Sequence, residues 1–92
     1  MSVRQHYKIK VLGRVQGVWF RKYTKEAAEA CGVCGYVCNL QDGSVYLEAE
    51  GEEEQLRNLL SRLEKGSPMS RVSRVEWYPG VVRHYDSFEI RH

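Results

Sequence analysis

A short segment with two glycines, Gly13 to Arg21, combines residue types that bind phosphate-like anions. Gly13 and Gly17 lie in a turn before a helical pattern, and Arg21 stands where that helix begins. Backbone N–H groups at a helix N-terminus converge on a tetrahedral anion, and a guanidinium holds two of its oxygens at once. The segment lacks the Gly-Lys-Ser/Thr ending of a nucleotide-binding P-loop. The same residues are also compatible with an ordinary turn at Gly13 and Gly17, followed by an Arg21 side chain that is merely exposed to solvent on the helix.

Asn39 is the second candidate, because it is a polar residue late in a predicted strand, where Asn is depleted. It is also explained as a strand-end residue before the turn at 40–43. Its carboxamide can both donate and accept hydrogen bonds, so the functional interpretation is a group that holds a water molecule. Taken alone, the loop and Asn39 leave a structural and a functional interpretation open.

The three cysteines, Cys31, Cys34 and Cys38, favour no chemistry of their own. An odd count without a secretory signal disfavours a disulfide framework. Cys31 and Cys34 have the spacing of a zinc motif, but further ligands would have to come from isolated histidines, so we expect no metal site. The first Arg after them is Arg57, too far along the chain to share an anion loop with a cysteine nucleophile. We therefore expect small thiols that are buried or half-buried.

Length and composition indicate one domain spanning residues 1–92. The chain has 14 Lys and Arg against 12 Asp and Glu, and 42% of its residues are hydrophobic. A net charge of +2 is too small to indicate a nucleic-acid or membrane partner. The sequence has no long apolar run and no signal-peptide pattern, so we expect a cytoplasmic protein. We also expect a monomer with a shallow site for a small molecule.

The elements that must position these residues follow from hydrophobic spacing. Tyr7, Ile9 and Val11 alternate with polar residues, which predicts a strand that Gly13 ends. Apolar residues at three- and four-residue steps predict a helix from Phe20 to Cys31, with Gly32 as its C-cap. The anion-binding segment therefore connects a first strand to a first helix.

The remainder of the chain completes an alternating pattern of strands and helices. Asp42-Gly43 predicts a hairpin turn between strands at 36–40 and 45–50, with Tyr46, Glu48 and Glu50 on its polar face. Four leucines between Leu56 and Leu63 predict a second helix. Two closing strands are predicted at 72–77 and 88–90. The order β-α-β-β-α-β indicates an α+β, ferredoxin-like two-layer sandwich: an antiparallel sheet of four to five strands with two helices on one face.

The stretches GRVQGVWFRKYT, GVCGYVCN, DGSVYLEAEG, GSPMSRV and FEIR resemble the acylphosphatase family over nearly the whole chain. The resemblance implies a cytosolic hydrolase that cleaves acyl phosphates into carboxylate and phosphate without metal or cofactor. It also implies that Arg21 binds the phosphoryl group and that Asn39 positions the attacking water. Two positions depart from the family pattern, namely Trp19 in the loop and Cys38 in place of a basic residue.

The chemistry that the resemblance implies needs few catalytic groups. A carboxylate leaves readily, since its conjugate acid has a pKa of about 4. Positioning and electrostatic stabilisation of the phosphoryl group then suffice. We expect Arg21 and the backbone N–H groups of the loop to supply this positioning and stabilisation. The loop groups belong to Val15, Gln16, Gly17, Val18, Trp19 and Phe20.

Two other classes of function compete with a hydrolase. Related sheets bind RNA through exposed aromatic residues, but Glu48 and Glu50 flank Tyr46 here and would repel phosphates. A phosphate sensor would keep the loop without turnover, although binding alone gives no reason for Asn39. We expect no nucleic-acid partner and no membrane partner.

Overall fold

The computed structural model describes residues 3–17 and 19–92. Val18, one of the predicted phosphate-binding residues, therefore lies outside the described residues. The secondary-structure elements, in chain order, are β1 (Gln5–Arg14), α1 (Phe20–Cys31), β2 (Cys34–Asn39), β3 (Val45–Gly51), α2 (Glu53–Lys65), β4 (Arg71–Gly80) and β5 (Phe88–Ile90). The predicted order of strands and helices is confirmed, with β5 as the fifth strand.

The five strands form one sheet in the order β4-β1-β3-β2-β5. β1 pairs antiparallel with β3 and β4, and β2 pairs antiparallel with β3. The prediction of an antiparallel sheet is wrong for β5, which pairs parallel with β2. The reason is the connection at 81–87, which returns the chain from β4 at one edge of the sheet to β2 at the other, so that β5 enters in the direction of β2.

Both helices pack on one face of this sheet, as predicted. α1 contacts β2 and β5, whereas α2 contacts β1, β3 and β4. The alternating residues Tyr7, Ile9 and Val11 of β1 are buried beneath them. Phe20 at the start of α1 belongs to the same core. The first turn of α1 is therefore fixed by core packing, which sets the position of the residue that follows, Arg21.

β1 does not end at Gly13 but continues to Arg14. The register with β4 shifts between Leu12 and Gly13, and Gly13 has a φ of 132°. A Cβ at this position would lie 2.2 Å from the carbonyl oxygen of Arg71. Gly13 is therefore a β-bulge that redirects the strand towards the loop, because only glycine allows this close approach of two backbones.

The face of the sheet opposite the helices carries a buried ionic cluster. Glu50 is fully buried, and its carboxylate accepts hydrogen bonds from Arg4 at 2.9 Å and from His6 Nδ1 at 2.7 Å. Backbone N–H groups of Arg83 and Tyr85 also donate to it. The sequence pattern predicts the correct face for Glu50 but not its burial, since no local pattern indicates that segment 81–87 covers this carboxylate.

Hydrogen bonding determines the charge state of Glu50. Burial by itself would raise the pKa of this carboxyl group, because it penalises the ionised form. The N–H group of Arg83, the His6 ring, the Arg4 guanidinium and the N–H group of Tyr85 outweigh that effect and lower the pKa to about 2. Glu50 is therefore ionised at neutral pH and attaches segment 81–87 to β3.

We expect Glu50→Gln to lower the free energy of unfolding at pH 7 by about 3 kcal/mol, because it removes the charged acceptor of Arg4 and of His6 Nδ1. A carboxyl group with a lowered pKa stabilises the fold above its unfolded pKa of about 4.5 and loses this effect as the pH falls towards 2. Urea unfolding at pH 7 and pH 3 should therefore show a smaller difference between variant and wild type at pH 3.

The matched control is Glu64→Gln, which neutralises an exposed carboxylate on α2. It should change stability by less than about 0.5 kcal/mol at either pH. An equal effect of both substitutions would contradict the stabilising role of the cluster.

Candidate functional site

A cavity of about 550 Å³ lies where the loop between β1 and α1 meets the end of β2. Arg21 and Asn39, the two predicted catalytic residues, both line it. The loop contributes four further lining residues, which are Val15, Gly17, Trp19 and Phe20. The structure thus brings together around one cavity residues that are 18 positions apart in sequence.

The loop presents backbone donors that have no partner in the described part of the chain. Val15 and Phe20 are buried and hold the two ends of the loop in the core. Several backbone N–H groups that are predicted to bind phosphate donate no hydrogen bond to another described residue. They belong to Val15, Gln16, Gly17, Trp19 and Phe20. Unpaired N–H groups at a helix N-terminus carry partial positive charge. The loop therefore has the chemistry of an anion site.

The Arg21 side chain is half-buried and held by the C-terminal segment. Its Nη1 donates to the carbonyl oxygen of Arg91 at 3.2 Å and lies 3.1 Å from Nδ1 of His92. Among the described residues, Nε and Nη2 of Arg21 have no acceptor, so these two donors remain for a ligand. A guanidinium fixed at one nitrogen is oriented in advance for a bidentate contact.

Asn39 is the last residue of β2, where it pairs with Val45, and its side chain is exposed. The next residues form the turn to β3, in which Leu40 N–H donates to Ser44 O at 2.9 Å. The exposed amide therefore lies where a regular strand ends and where ligand and water have access.

Gln16 connects the anion loop to this turn. Its Nε2 donates to Leu40 O at 2.8 Å and to Ser44 O at 2.7 Å. From its sequence position, Gln16 is expected to contribute only its backbone N–H group, because no spacing rule indicates a contact across 24 residues. This side chain fixes the distance between the loop and the strand end that carries Asn39.

The turn is also held by Asp42. Its carboxylate accepts hydrogen bonds from the N–H and hydroxyl groups of Ser44, and Lys10 Nζ lies 2.8 Å from Oδ2. The hydrogen bond from Lys10 and then those from Ser44 lower the pKa of Asp42, while the same contact raises the pKa of Lys10. Asp42 therefore stays ionised and stabilises the turn that Gln16 binds.

The cysteines of the structure are free and partly exposed. Burial raises the pKa of the Cys38 thiol, although Arg21 and Arg91 partly oppose that shift. Cys38 is thus a neutral thiol next to the site, and the position adds no positive charge to it. In residues 3–17 and 19–92, no three His, Cys, Asp or Glu side chains are grouped so as to hold a metal ion.

The fold and the site together define a two-layer α+β domain with a candidate anion site at a helix N-terminus. The acylphosphatase family model matches residues 7–90, and the chain belongs to this family. It is 44% identical over 85 residues to an acylphosphatase of Thermotoga petrophila, covering 92% of this chain and 94% of the relative. It is 45% identical over 82 residues to one of Archaeoglobus fulgidus, covering 89% and 92%.

Solved structures show the same relationship. The crystal structure of an acylphosphatase from Bacillus subtilis superimposes with a TM-score of 0.93 at 34% identity, covering 96% of this chain and 99% of that one. An acylphosphatase from Coxiella burnetii gives 0.92 at 38% identity, covering 96% and 93%. Family membership supports an acylphosphatase function, which is that of a hydrolase. No helix in the described part of the chain is long and apolar enough to cross a membrane.

We expect Gln16→Ala to lower the free energy of unfolding by about 1–3 kcal/mol, since the turn carbonyls of Leu40 and Ser44 each lose one of their donors. It should also weaken the binding of inorganic phosphate, because the loop is no longer held at a fixed distance from β2. Urea unfolding and titration calorimetry with phosphate measure the two effects.

Gln41→Ala is the matched control for Gln16→Ala, since Gln41 is an exposed glutamine in the same turn. Its stability and phosphate affinity should stay close to those of the wild type. If both variants behaved alike, the bridge from Gln16 would have no role in holding the site.

Proposed function

We propose that the protein hydrolyses acyl phosphates to carboxylate and phosphate, with the phosphoryl group bound by Arg21 and the loop and with the water oriented by Asn39. The observation that carries this proposal is that Arg21 and Asn39 line one cavity together with a loop whose N–H groups have no partner among residues 3–17 and 19–92. One group binds anions strongly, and the other is neutral and binds water. Phosphate binding alone would need only the first.

The phosphoryl group is bound by charge and by backbone donors. The free donors of Arg21 contact two phosphoryl oxygens, and the N–H groups of residues 15–20 contact the third. In the loose transition state of phosphoryl transfer, negative charge is spread over these three oxygens. Donors that are already oriented stabilise that charge without reorganising during the reaction.

Asn39 acts on the nucleophile. Its amide oxygen accepts a hydrogen bond from water, which aims the water oxygen at phosphorus. A new bond then forms between that oxygen and phosphorus while the bond from phosphorus to the acyl oxygen breaks. A phosphoryl oxygen of the substrate takes up the proton that the water loses. Orientation is sufficient because proton removal needs no separate base in this scheme.

The leaving group explains why so few residues are needed. The acyl oxygen leaves as a carboxylate, whose conjugate acid has a pKa of about 4, so no general acid is required. We propose that the reaction needs no metal ion and no cofactor, since the charge on the phosphoryl group is met by Arg21 and the loop. A phosphate monoester has a far more basic leaving group and should not be a substrate.

We also propose that the protein is a cytoplasmic monomer with one domain over residues 1–92 and that it acts on a small molecule. The loop, Arg21 and Asn39 all come from one chain, so the site needs no second subunit. Three free thiols fit the reducing cytoplasm. No nucleic acid or membrane has a role in this reaction.

We expect Arg21→Ala to reduce kcat/KM for benzoyl phosphate by a factor that corresponds to about 3–4 kcal/mol, because the charged donor to the transition state is lost. Arg21→Lys should recover little, since an ammonium group cannot make the bidentate contact. The assay contains EDTA and uses p-nitrophenyl phosphate as the monoester control.

Arg57→Ala is the matched variant, because it removes an exposed arginine on α2. It should keep wild-type kcat/KM. If the wild-type protein bound phosphate but cleaved neither compound, the proposed enzymatic function would be contradicted and a phosphate sensor would be indicated.

We expect Asn39→Ala to lower kcat about 100-fold while the affinity for inorganic phosphate changes little, since the amide contacts water and not the phosphoryl group. Steady-state kinetics with phosphate as a competitive inhibitor separates the two effects. Asn58→Ala, at an exposed position of α2, is the control. An equal loss of kcat and of phosphate affinity would mean that Asn39 binds the anion and does not orient water.

A further inference from the structure

An exposed apolar surface adjoins the candidate site. Trp19 is 81% exposed and Met69 is 71% exposed, although both residue types are normally buried. Together with Pro68 they line a second cavity of about 390 Å³, whose other lining residues include Tyr23. We call this surface, formed by Trp19, Tyr23, Pro68 and Met69, the Trp19 groove.

The Trp19 groove is continuous with the site described above. Trp19 and Lys22 line both cavities, so the two share a wall. Asn39 ends β2 and Met69 precedes β4, and these two strands lie on opposite sides of β1 in the sheet. The groove therefore leads away from the phosphate site on the side opposite Asn39.

That direction fits the substrate geometry. In phosphoryl transfer the attacking and leaving oxygens stand roughly in line on opposite sides of phosphorus. With water at Asn39, the acyl group must extend from the other side, which is where the groove begins. The charged groups on the groove wall are Lys22 and Glu26, one of each sign, so the surface does not favour an acyl group with further charge.

The local structure at Trp19 is not explained by folding. Trp19 is the N-cap of α1 but makes no side-chain capping hydrogen bond, and its φ of 62° is unusual for a bulky residue. Asn or Gly would fit both the N-cap position and the positive φ better. The position thus carries a large exposed indole at a cost to the helix, as is typical of residues that serve binding.

We propose that the Trp19 groove binds the acyl group of the substrate and makes the protein selective for aromatic and other large apolar acyl phosphates. The acyl ring stacks on the Trp19 indole, and Met69 and Pro68 contact its far edge. This inference rests on the proposed function, since it places the phosphoryl group at Arg21.

The test compares kcat/KM for benzoyl phosphate and acetyl phosphate, which have similar leaving groups. Trp19→Ala should lower the ratio of kcat/KM for benzoyl phosphate to kcat/KM for acetyl phosphate about tenfold. Met69→Ala should act in the same direction with a smaller effect. Trp19→Asn, which tolerates the left-handed backbone, shows whether a change comes from the lost ring or from a disturbed helix start.

Tyr78→Ala is the matched control, because Tyr78 is 62% exposed and pairs with Lys8 on the sheet, away from the groove. It should leave kcat/KM unchanged for both substrates. Equal losses for both substrates in the Trp19 variants would overturn the proposal and place the effect in the phosphate loop. Unchanged kinetics for both would overturn it as well.

A binding measurement separates this proposal from the hydrolase itself. In a Trp77→Phe background, Trp19 is the remaining tryptophan. Benzylphosphonate should quench its fluorescence at a concentration about tenfold lower than methylphosphonate. If the wild-type protein cleaved neither acyl phosphate, the proposed hydrolase function would be refuted. The difference in quenching between the two phosphonates would then still test whether the Trp19 groove binds an aromatic group. Equal quenching by both would overturn the groove proposal.

Discussion

The two hydrogen bonds from Gln16 to the turn after β2 hold the candidate site together. They fix the loop before α1 against the strand end that carries Asn39, at 2.8 Å to Leu40 O and 2.7 Å to Ser44 O. Arg21 starts from the same loop and is oriented by Arg91 O. Because the proposed reaction relies on position, small shifts between these groups would cost much of the rate.

The rest of the fold supplies rigid supports for this arrangement. Val15 and Phe20 are buried at the two ends of the loop, and the bulge at Gly13 directs β1 into it. On the opposite face, Glu50 holds the segment that brings β5 beside β2. β5 leads directly to Arg91, so the ionic cluster and the orientation of Arg21 are connected through one strand.

Sequence patterns predict the helices and strands well because each follows a clear hydrophobic period, as for Tyr7, Ile9 and Val11. They also single out Arg21 and Asn39, which the structure places at one cavity, as candidate site residues. What they miss depends on contacts between distant segments. Examples are the parallel pairing of β5, the burial of Glu50 under segment 81–87, and the bridge from Gln16. No local pattern encodes such contacts.

Hydrolysis of benzoyl phosphate by the wild-type protein in water enriched in oxygen-18 shows directly which atom the water attacks. The proposed attack on phosphorus by a water that Asn39 orients predicts that the label enters inorganic phosphate and that none enters benzoate. Mass spectrometry of both products gives the answer. Label in the benzoate would show attack at the acyl carbon and would contradict the proposed attack on phosphorus.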